Sequence, residues 1–280
     1  MNATFCPRRF ALLARQYVRE HGRGWLMTVL VLAVVQALLV MLLLATSGSA
    51  LETGAQAFMY YAGLFFSGYL VAHRLHGAWR SREAALVYLM RPAAPFEKWL
   101  LATLAALLAW PLLYSAVFAV VYGVGAQISY GIALHEYQAL LGQHPDLSAS
   151  PPDAARYALF LPFRTSPKDD GDAMLAFYAA QSMLLLIYAG IMGYAAFALT
   201  WFRRHAALRA LVLLIALGLL TMLCIAIIPS GWADVLGYWA SLRARAMHWS
   251  AHVVMMLFWV GAPALLWLAS WRALLERDLT

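Results

Sequence analysis

The residue patterns that most often carry enzyme chemistry are incomplete in this chain. A phosphate-binding P-loop needs glycine, four residues and then Gly-Lys followed by Ser or Thr, but the two lysines, Lys98 and Lys168, stand in no such motif. A zinc-binding His-Glu-x-x-His helix begins at His135-Glu136, yet position 139 is alanine. We therefore predict no catalytic residue, no metal and no cofactor in this chain. If ATP is used, a separate subunit must bind it with Mg²⁺.

The long apolar runs of the chain carry uncharged polar groups and no carboxylate or cation near their centres. The missing charges argue against a proton- or sodium-coupled carrier and against an enzyme acting within the bilayer. The amides and hydroxyls either line a pathway for an amphipathic substrate or form hydrogen bonds between helices, worth about 0.6 kcal/mol each. The pathway candidates are Gln36, Tyr60, Ser67, Tyr114, Ser115 and Gln181.

The amino-acid composition indicates the class of protein to which these residues belong. Of 280 residues, 64% are hydrophobic and 12% are charged, against about 45–50% and about 25% in soluble domains. A soluble enzyme, a disordered chain and a disulfide-rich secreted domain are excluded. We predict an all-α, multi-pass membrane protein with one transmembrane domain over residues 1–280, because a crossing helix needs about 20 mostly apolar residues. Six runs reach that length, at residues 25–46, 55–72, 99–124, 173–202, 206–228 and 253–271.

The end of the first run and the placement of the positive charges bear on topology. A cleaved signal peptide usually has a shorter apolar core, of about 7–15 residues, although the small residues at 45–50 leave cleavage open. Fifteen Lys and Arg lie on the side of the N-terminus, and five lie on the other. Cytoplasmic loops carry this excess, so we predict that both termini lie in the cytoplasm. No nucleic-acid-binding motif accompanies the cations, and we expect no nucleic-acid partner.

Two cytoplasmic segments are candidate contact surfaces. Residues 5–22 place apolar side chains on one helix face and arginines on the other, which fits an interfacial helix or a plain basic tail. Residues 73–98 carry five cations and two acids. A helix ended by Pro92 would dock there on a soluble partner. The other interpretation is a solvated loop that only sets topology.

The second of these segments ends in a longer motif. Residues 88–100 read Tyr-Leu-Met-Arg-Pro-Ala-Ala-Pro-Phe-Glu-Lys-Trp-Leu, and residues 65–68, Phe-Phe-Ser-Gly, and Arg82-Glu83 lie upstream. Together they resemble the signature of a group of bacterial ABC-2-type permeases. In that group leucine is usual where this chain has Arg91, and serine where it has Ala94.

The resemblance implies the membrane-spanning subunit of an ABC exporter in the cytoplasmic membrane. Its partners would be a second permease copy or related chain, membrane lipid, and cytoplasmic ATPases that hydrolyse ATP with Mg²⁺. A coupling helix within residues 73–98 would contact the ATPase through Arg80, Arg82 and Glu83. Arg91, Glu97 and Lys98 would hold the turn into the third span. Export of an amphipathic or hydrophobic substrate is implied.

The family also has an interfacial helix before the first span, for which residues 5–22 fit. It has a re-entrant hairpin on the outer side between the last two spans, for which residues 229–252 fit, although an ordinary interfacial loop with tryptophans is the alternative. Residues 125–172 would form an outer loop, in which residues 132–141 either extend the third helix or form a short helix of their own.

A second function stays open at this point. The chain would then be a non-transport membrane protein, either an assembly factor or a lipid-modifying enzyme. Its catalytic groups would come from the outer loops, for example Glu136, His144, Asp169 and His248.

Overall fold

The computed structural model describes residues 5–47, 51–77, 93–143, 150–163, 171–202, 206–227 and 249–279. Within these ranges all regular structure is helical, which confirms the all-α prediction. A π-helical turn at Ala105–Ala109 joins α3 to α4, and a short 3-10 helix covers Ala154–Tyr157. The helices are α1 Pro7–Ser47, α2 Thr53–Leu75, α3 Pro95–Leu104, α4 Trp110–Gln143, α5 Gly171–Trp201, α6 Ala206–Ile227 and α7 Trp249–Leu279.

Three helical stretches in the described ranges are long and apolar enough to cross a membrane, and many of their large apolar side chains are exposed. Soluble monomers rarely expose apolar patches beyond a few hundred Å², so these surfaces are those of a helical membrane protein. The other predicted runs lie in α2, in α6 as far as residue 227, and in α7, and the count of six spans stays a prediction. The three stretches are Pro7–Thr46, Pro95–Gln143 and Gln181–Leu199. Exposed residues on α1 include Leu26, Met27, Leu30, Val31, Val34, Val35, Leu38, Met41 and Leu42.

The first helix is longer than predicted. The predicted interfacial segment 5–22 and the predicted span 25–46 are parts of one continuous 41-residue helix rather than two elements. At 1.5 Å per residue α1 is about 60 Å long, twice the roughly 30 Å hydrocarbon core. Its first turns, which carry Arg9, therefore extend beyond the apolar run. The helix does not break because Gly22 and Gly24 are tolerated within a helix, at about 1 kcal/mol each.

The third predicted span also continues past its predicted ends. α3 begins at Pro95, before the apolar run, and α4 continues to Gln143. Residues 125–143, assigned to the outer loop in the sequence, are therefore helical, and residues 132–141 extend the third helix rather than forming a separate one. The sequence from 112 to 144 contains no proline to end the helix, and Pro145 follows two residues after its last residue, Gln143. The predicted hairpin at 229–252 lies almost entirely outside the described residues.

The helices pack in two compact units, one of residues 1–13, 67–107 and 165–280, the other of residues 14–66 and 108–164. In the second unit α1 and α4 run parallel, since Trp25 lies against Trp110 at 5.9 Å between ring centroids and Val40 packs on Gly125. α2 runs antiparallel to α4 in the same unit, as expected when consecutive helices double back.

In the first unit α5 and α7 run parallel and make the most extensive contact. Gly190 lies opposite Pro263, and Gly193 opposite Trp267. The Trp267 indole Nε1 donates a hydrogen bond to the carbonyl of Ala189 at 3.1 Å. These small residues let a tryptophan of α7 approach the backbone of α5 closely, as is typical of helix packing in membranes.

Substitution of Gly68 tests how tightly α2 packs in this unit. A Cβ at residue 68 would lie 2.6 Å from a ring carbon of Tyr188, whose buried hydroxyl donates to the Ala106 carbonyl at 2.8 Å. Because Tyr188 cannot move aside, we expect Gly68→Ala to lower the apparent Tm by about 3–10 °C. Gly131→Ala is the matched control, since its added Cβ meets nothing within 4 Å. Equal Tm values for the two variants would show that this contact is loose.

Candidate functional site

A polar cluster surrounds the Glu97 carboxylate at the start of α3. Its Oε1 accepts hydrogen bonds from the backbone N of Cys6 at 2.9 Å and from Arg9 Nη2 at 2.7 Å. Its Oε2 accepts from Arg9 Nε at 2.7 Å and from the backbone N of Ala94 at 3.1 Å. The Glu97 side chain is fully buried, whereas that of Arg9 is 37% exposed. One carboxylate therefore holds the N-terminal residues against the entry to α3 through a two-pronged ion pair.

The local sequence explains why Glu97 stands at this point. Ala94 has extended backbone angles and Pro95 is the first helical residue, a position that suits proline. Alanine has no side-chain acceptor to cap the helix, and the Glu97 side chain instead reaches back to the Ala94 amide, which is half of a capping box. The same carboxylate thus closes the turn before α3 and binds Arg9.

The charge state of Glu97 follows from these bonds. The Arg9 guanidinium lowers the pKa of Glu97 to about 2, and the amides of Cys6 and Ala94 act in the same direction, while burial opposes them. Glu97 is therefore ionised throughout the physiological range.

An aromatic cluster, defined by Phe5, Phe10, Phe96, Trp99, Trp267 and Trp271, continues from this ion pair. The Phe96 ring lies 6.3 Å from that of Phe5 and 5.6 Å from that of Trp271, and Trp99 donates its Nε1 hydrogen to the Ser270 hydroxyl. The His76 ring, just after α2, lies 5.8 Å from Trp267. The cluster therefore brings together residues just after α2, the start of α3, the N-terminal residues and α7.

Only some of the residues predicted to couple the chain to an ATPase are among the described residues. Arg80, Arg82, Glu83 and Arg91 lie outside the described residues. Glu97 and Lys98 are both described and almost fully buried, so neither offers an exposed docking surface.

Four of the predicted pathway residues come together in the second unit. Tyr60 and Ser115 share a hydrogen bond at 2.8 Å between their hydroxyl oxygens, and the Tyr114 hydroxyl donates to the Met59 carbonyl at 3.4 Å. The Gln36 amide lies beside the Tyr114 hydroxyl, but within the described part of the chain neither its Nε2 nor its Oε1 makes a hydrogen bond of standard geometry.

The burial of these residues bears on the pathway prediction. Gln36, Tyr60 and Tyr114 are each at most 4% exposed, so in this structure they form an interface between helices rather than the wall of an open channel. Ser67 and Gln181 belong to the other unit, where Gln181 is buried.

Sequence analysis did not assign a role to Arg9 or to the tryptophans of α7. Glu97 could have indicated that some arginine pairs with it, because it is one of only two acids in the basic segment 73–98. A carboxylate needs a cationic partner once it is buried. The spacing of Trp267 and Trp271 by four residues places them on one helix face, but nothing in the spacing names the surface that they meet.

Acid titration is expected to lower the stability of the fold in two steps, the first from His76 and the second from Glu97. Burial lowers the pKa of His76 from 6.5 to about 4, so below about pH 6.5 the unfolded chain binds a proton that the folded chain does not, and stability falls. Glu97 adds a second loss as pH falls from 4.5 towards 2, because its ionised form is the bonded one.

Apparent Tm measured from pH 7.5 to 3 checks this order. His76→Phe should remove most of the loss between pH 6.5 and 4, and Glu97→Gln should lower Tm at neutral pH while flattening the loss below pH 4.5. An unchanged profile in His76→Phe would contradict the assignment of the first step to His76.

Comparisons of the chain with protein-family models, with curated proteins and with solved structures gave no match. The class that the fold itself defines is a helical membrane protein, with three described helices long and apolar enough to cross a bilayer.

Proposed function

We propose that the chain is the membrane-spanning subunit of a bacterial ABC exporter of the ABC-2 type. It would work as a dimer in the cytoplasmic membrane and move an amphipathic or hydrophobic substrate. The energy would come from ATP hydrolysed with Mg²⁺ by a separate cytoplasmic subunit. The observation that carries the proposal is the motif at residues 88–100, whose Glu97 is tied to the N-terminal residues Cys6 and Arg9 by three hydrogen bonds.

The anchoring of the coupling segment supports this proposal. On one side of residues 78–92, His76 packs on Trp267; on the other, Phe96 packs on Trp271. Both flanks thus contact the same helix, α7, and the second flank also holds Arg9. A force applied to the segment by a partner would reach α7 and the N-terminal residues through packed side chains rather than through a flexible linker.

The packing directions agree with the alternating directions of successive spans in the proposed topology. Consecutive spans cross the membrane in opposite directions. Two spans are therefore parallel when both have odd numbers in the chain order or both have even numbers. α1 and α4 hold the runs predicted as the first and third spans, and they run parallel. α5 and α7 hold the runs predicted as the fourth and sixth, and they also run parallel.

The chemistry of the buried polar groups supports an external energy source. The described polar groups within the predicted spans of the second unit are amides and hydroxyls, of which Gln36, Tyr60 and Ser115 are examples. Such groups do not change charge near neutral pH. They can hydrogen-bond a substrate, but they cannot couple its movement to a proton gradient.

Reversal of the coupling charges tests the proposal. The tagged full-length chain is purified from its native membrane after mild cross-linking, and its partners are identified by mass. We expect an ATPase with a P-loop to co-purify. The triple variant Arg80→Glu, Arg82→Glu, Glu83→Lys should reduce its yield about tenfold or more, as expected when several contact charges are reversed.

The double variant Arg243→Glu, Arg245→Glu is the matched control, because the proposed topology places these arginines on the opposite side of the membrane. It should leave the ATPase yield unchanged. Absence of any ATPase from the wild-type purification would overturn the proposed function. Equal loss in both variants would overturn the assignment of the contact to residues 80–83.

A further inference from the structure

Residues 150–163, termed the strap, cross over the start of α2. The Thr53 hydroxyl bonds to the carbonyls of Arg156 and Ala158, at 2.9 and 3.1 Å. The amide of Gln56, which is fully buried, donates to Ala158 at 3.3 Å and accepts from the backbone N of Phe160 at 3.0 Å. Two side chains of α2 therefore hold the strap. Their hydrogen bonds to the strap are all made to its backbone atoms.

Phe160 is the one buried side chain of the strap. Its ring lies 5.6 Å from that of Tyr60 and 6.1 Å from that of Tyr61. A second ring of the strap, that of the half-buried Tyr157, lies 5.7 Å from the ring of Tyr130. Two aromatic rings, Phe160 and Tyr157, and four hydrogen bonds at the start of α2 hold the strap. Surface segments held in this way open locally at a lower free energy than packed helices.

The surface under Phe160, termed the aromatic cup, is formed by Tyr60, Tyr61 and Phe118. Tyr60 contacts both other rings at 5.0 Å in edge-to-face geometry. Hydrogen-bonding groups lie next to these rings, since the Tyr60 hydroxyl is bonded to Ser115. The ring of Tyr114 lies 5.4 Å from that of Tyr60, and the Gln36 amide beside Tyr114 makes no standard hydrogen bond among the described residues.

We propose that the aromatic cup is a binding site for the ring or chain end of a neutral amphipathic molecule, and that Phe160 occupies it when the ligand is absent. Aromatic walls favour a flat or extended apolar group. The hydroxyls and the Gln36 amide provide hydrogen bonds for a polar, uncharged part of the same molecule, since a buried amide without a partner is stabilised by acquiring one. Lifting of the strap would expose the cup.

As a binding site the cup is independent of any ATPase. That its ligand is the transported substrate is a further step, which rests on the proposed function. The test therefore uses the full chain alone in lipid vesicles. If it fails, the proposed ATPase partnership is untouched. If no ATPase is found, the binding result still stands.

A reversible disulfide tests whether the strap controls access to the cup. Thr53→Cys and Ala158→Cys are introduced into a Cys6→Ser, Cys224→Ser background, where the contact between the two positions favours a bond on oxidation. The probe is trifluoromethyl-phenyl-diazirine, a small apolar ring that labels nearby residues when illuminated. Labelling of Tyr60 and Tyr61 is measured by mass spectrometry relative to Phe58, which is 68% exposed.

We expect oxidation to reduce the labelling of the two tyrosines about fivefold or more, because a strap that cannot open keeps them covered. Labelling of Phe58 should not change, and the Thr53→Cys single variant under the same oxidant should behave as the reduced chain. Equal labelling of the tyrosines in the oxidised and reduced double variant would overturn the proposal.

Removal of the Phe160 ring tests whether this side chain covers the cup. Phe160→Ala should raise the labelling of Tyr60 and Tyr61 at least about threefold by leaving the cup uncovered. Tyr157→Ala, which removes a ring that lies on Tyr130 and leaves Phe160 over the cup, should raise it less than Phe160→Ala does. Unchanged labelling in Phe160→Ala would also overturn the proposal. The disulfide keeps Phe160 in place, so its result does not depend on how well Phe160→Ala folds.

Discussion

Replacement of Glu97 by arginine is expected to release the N-terminal residues from α3 and to lower the apparent Tm by about 6 °C or more. The change removes the acceptor of four hydrogen bonds and places a second cation opposite Arg9, in a position where the native side chain is fully buried. Hydrogen–deuterium exchange of residues 5–13 measures the release directly, and it should rise in step with the loss of stability.

The double variant Arg9→Glu, Glu97→Arg separates the ion pair from the packing around it. Because the swapped pair restores opposite charges, it should recover part of the lost Tm and of the exchange protection. Glu20→Arg is the matched control, since Glu20 lies on the exposed side of α1 and bonds to Gln16 one turn away. If the double variant is no more stable than Glu97→Arg, the ion pair does not hold the N-terminal residues in place.

Trp267→Ala is expected to have the second large effect, lowering the apparent Tm by about 6 °C or more, since truncation of a buried tryptophan costs about 3–5 kcal/mol. Trp267 is 7% exposed and lies against the rings of His76 and Trp99. It also donates a hydrogen bond to the Ala189 carbonyl. Its loss would leave a cavity between α5, α7 and the flank of the coupling segment.

Two further variants of α7 locate the origin of that effect. Leu265→Ala lies two residues away at a position that is 67% exposed, and we expect a change of less than about 2 °C. Trp267→Phe keeps a ring and loses the indole hydrogen bond, so an intermediate Tm is expected. A Tm for Trp267→Ala equal to that of Leu265→Ala would show that Trp267 does not tie these elements together.

The helices were predictable because each apolar run is long enough for a membrane helix, whereas their ends were not. An apolar run measures the part of a helix that suits hydrocarbon, and it carries no information on how far the helix continues in water. α1 extends back to Pro7 and α4 on to Gln143 because no proline lies between these residues and the apolar runs. The predicted ends at residues 25 and 124 therefore describe the apolar core of each helix.

The candidate site was predictable in part for the same kind of reason. Gln36, Tyr60, Tyr114 and Ser115 were chosen as polar residues within apolar runs, and such groups meet because each needs a hydrogen-bonding partner. The partner of Glu97 could not be chosen, because Arg8, Arg9 and other arginines near the N-terminus are equivalent in the sequence. Arg9 is the partner because the fold places the start of α1 beside Pro95.

The most direct test of the central claim is the native mass of the assembly purified from its own membrane, with its nucleotide content and ATP hydrolysis measured in vesicles. The account predicts two 31.0 kDa chains, or one with a related chain, bound to two ATPase subunits that carry all of the hydrolysis. An assembly that works fully in vesicles without any nucleotide-hydrolysing subunit would contradict it.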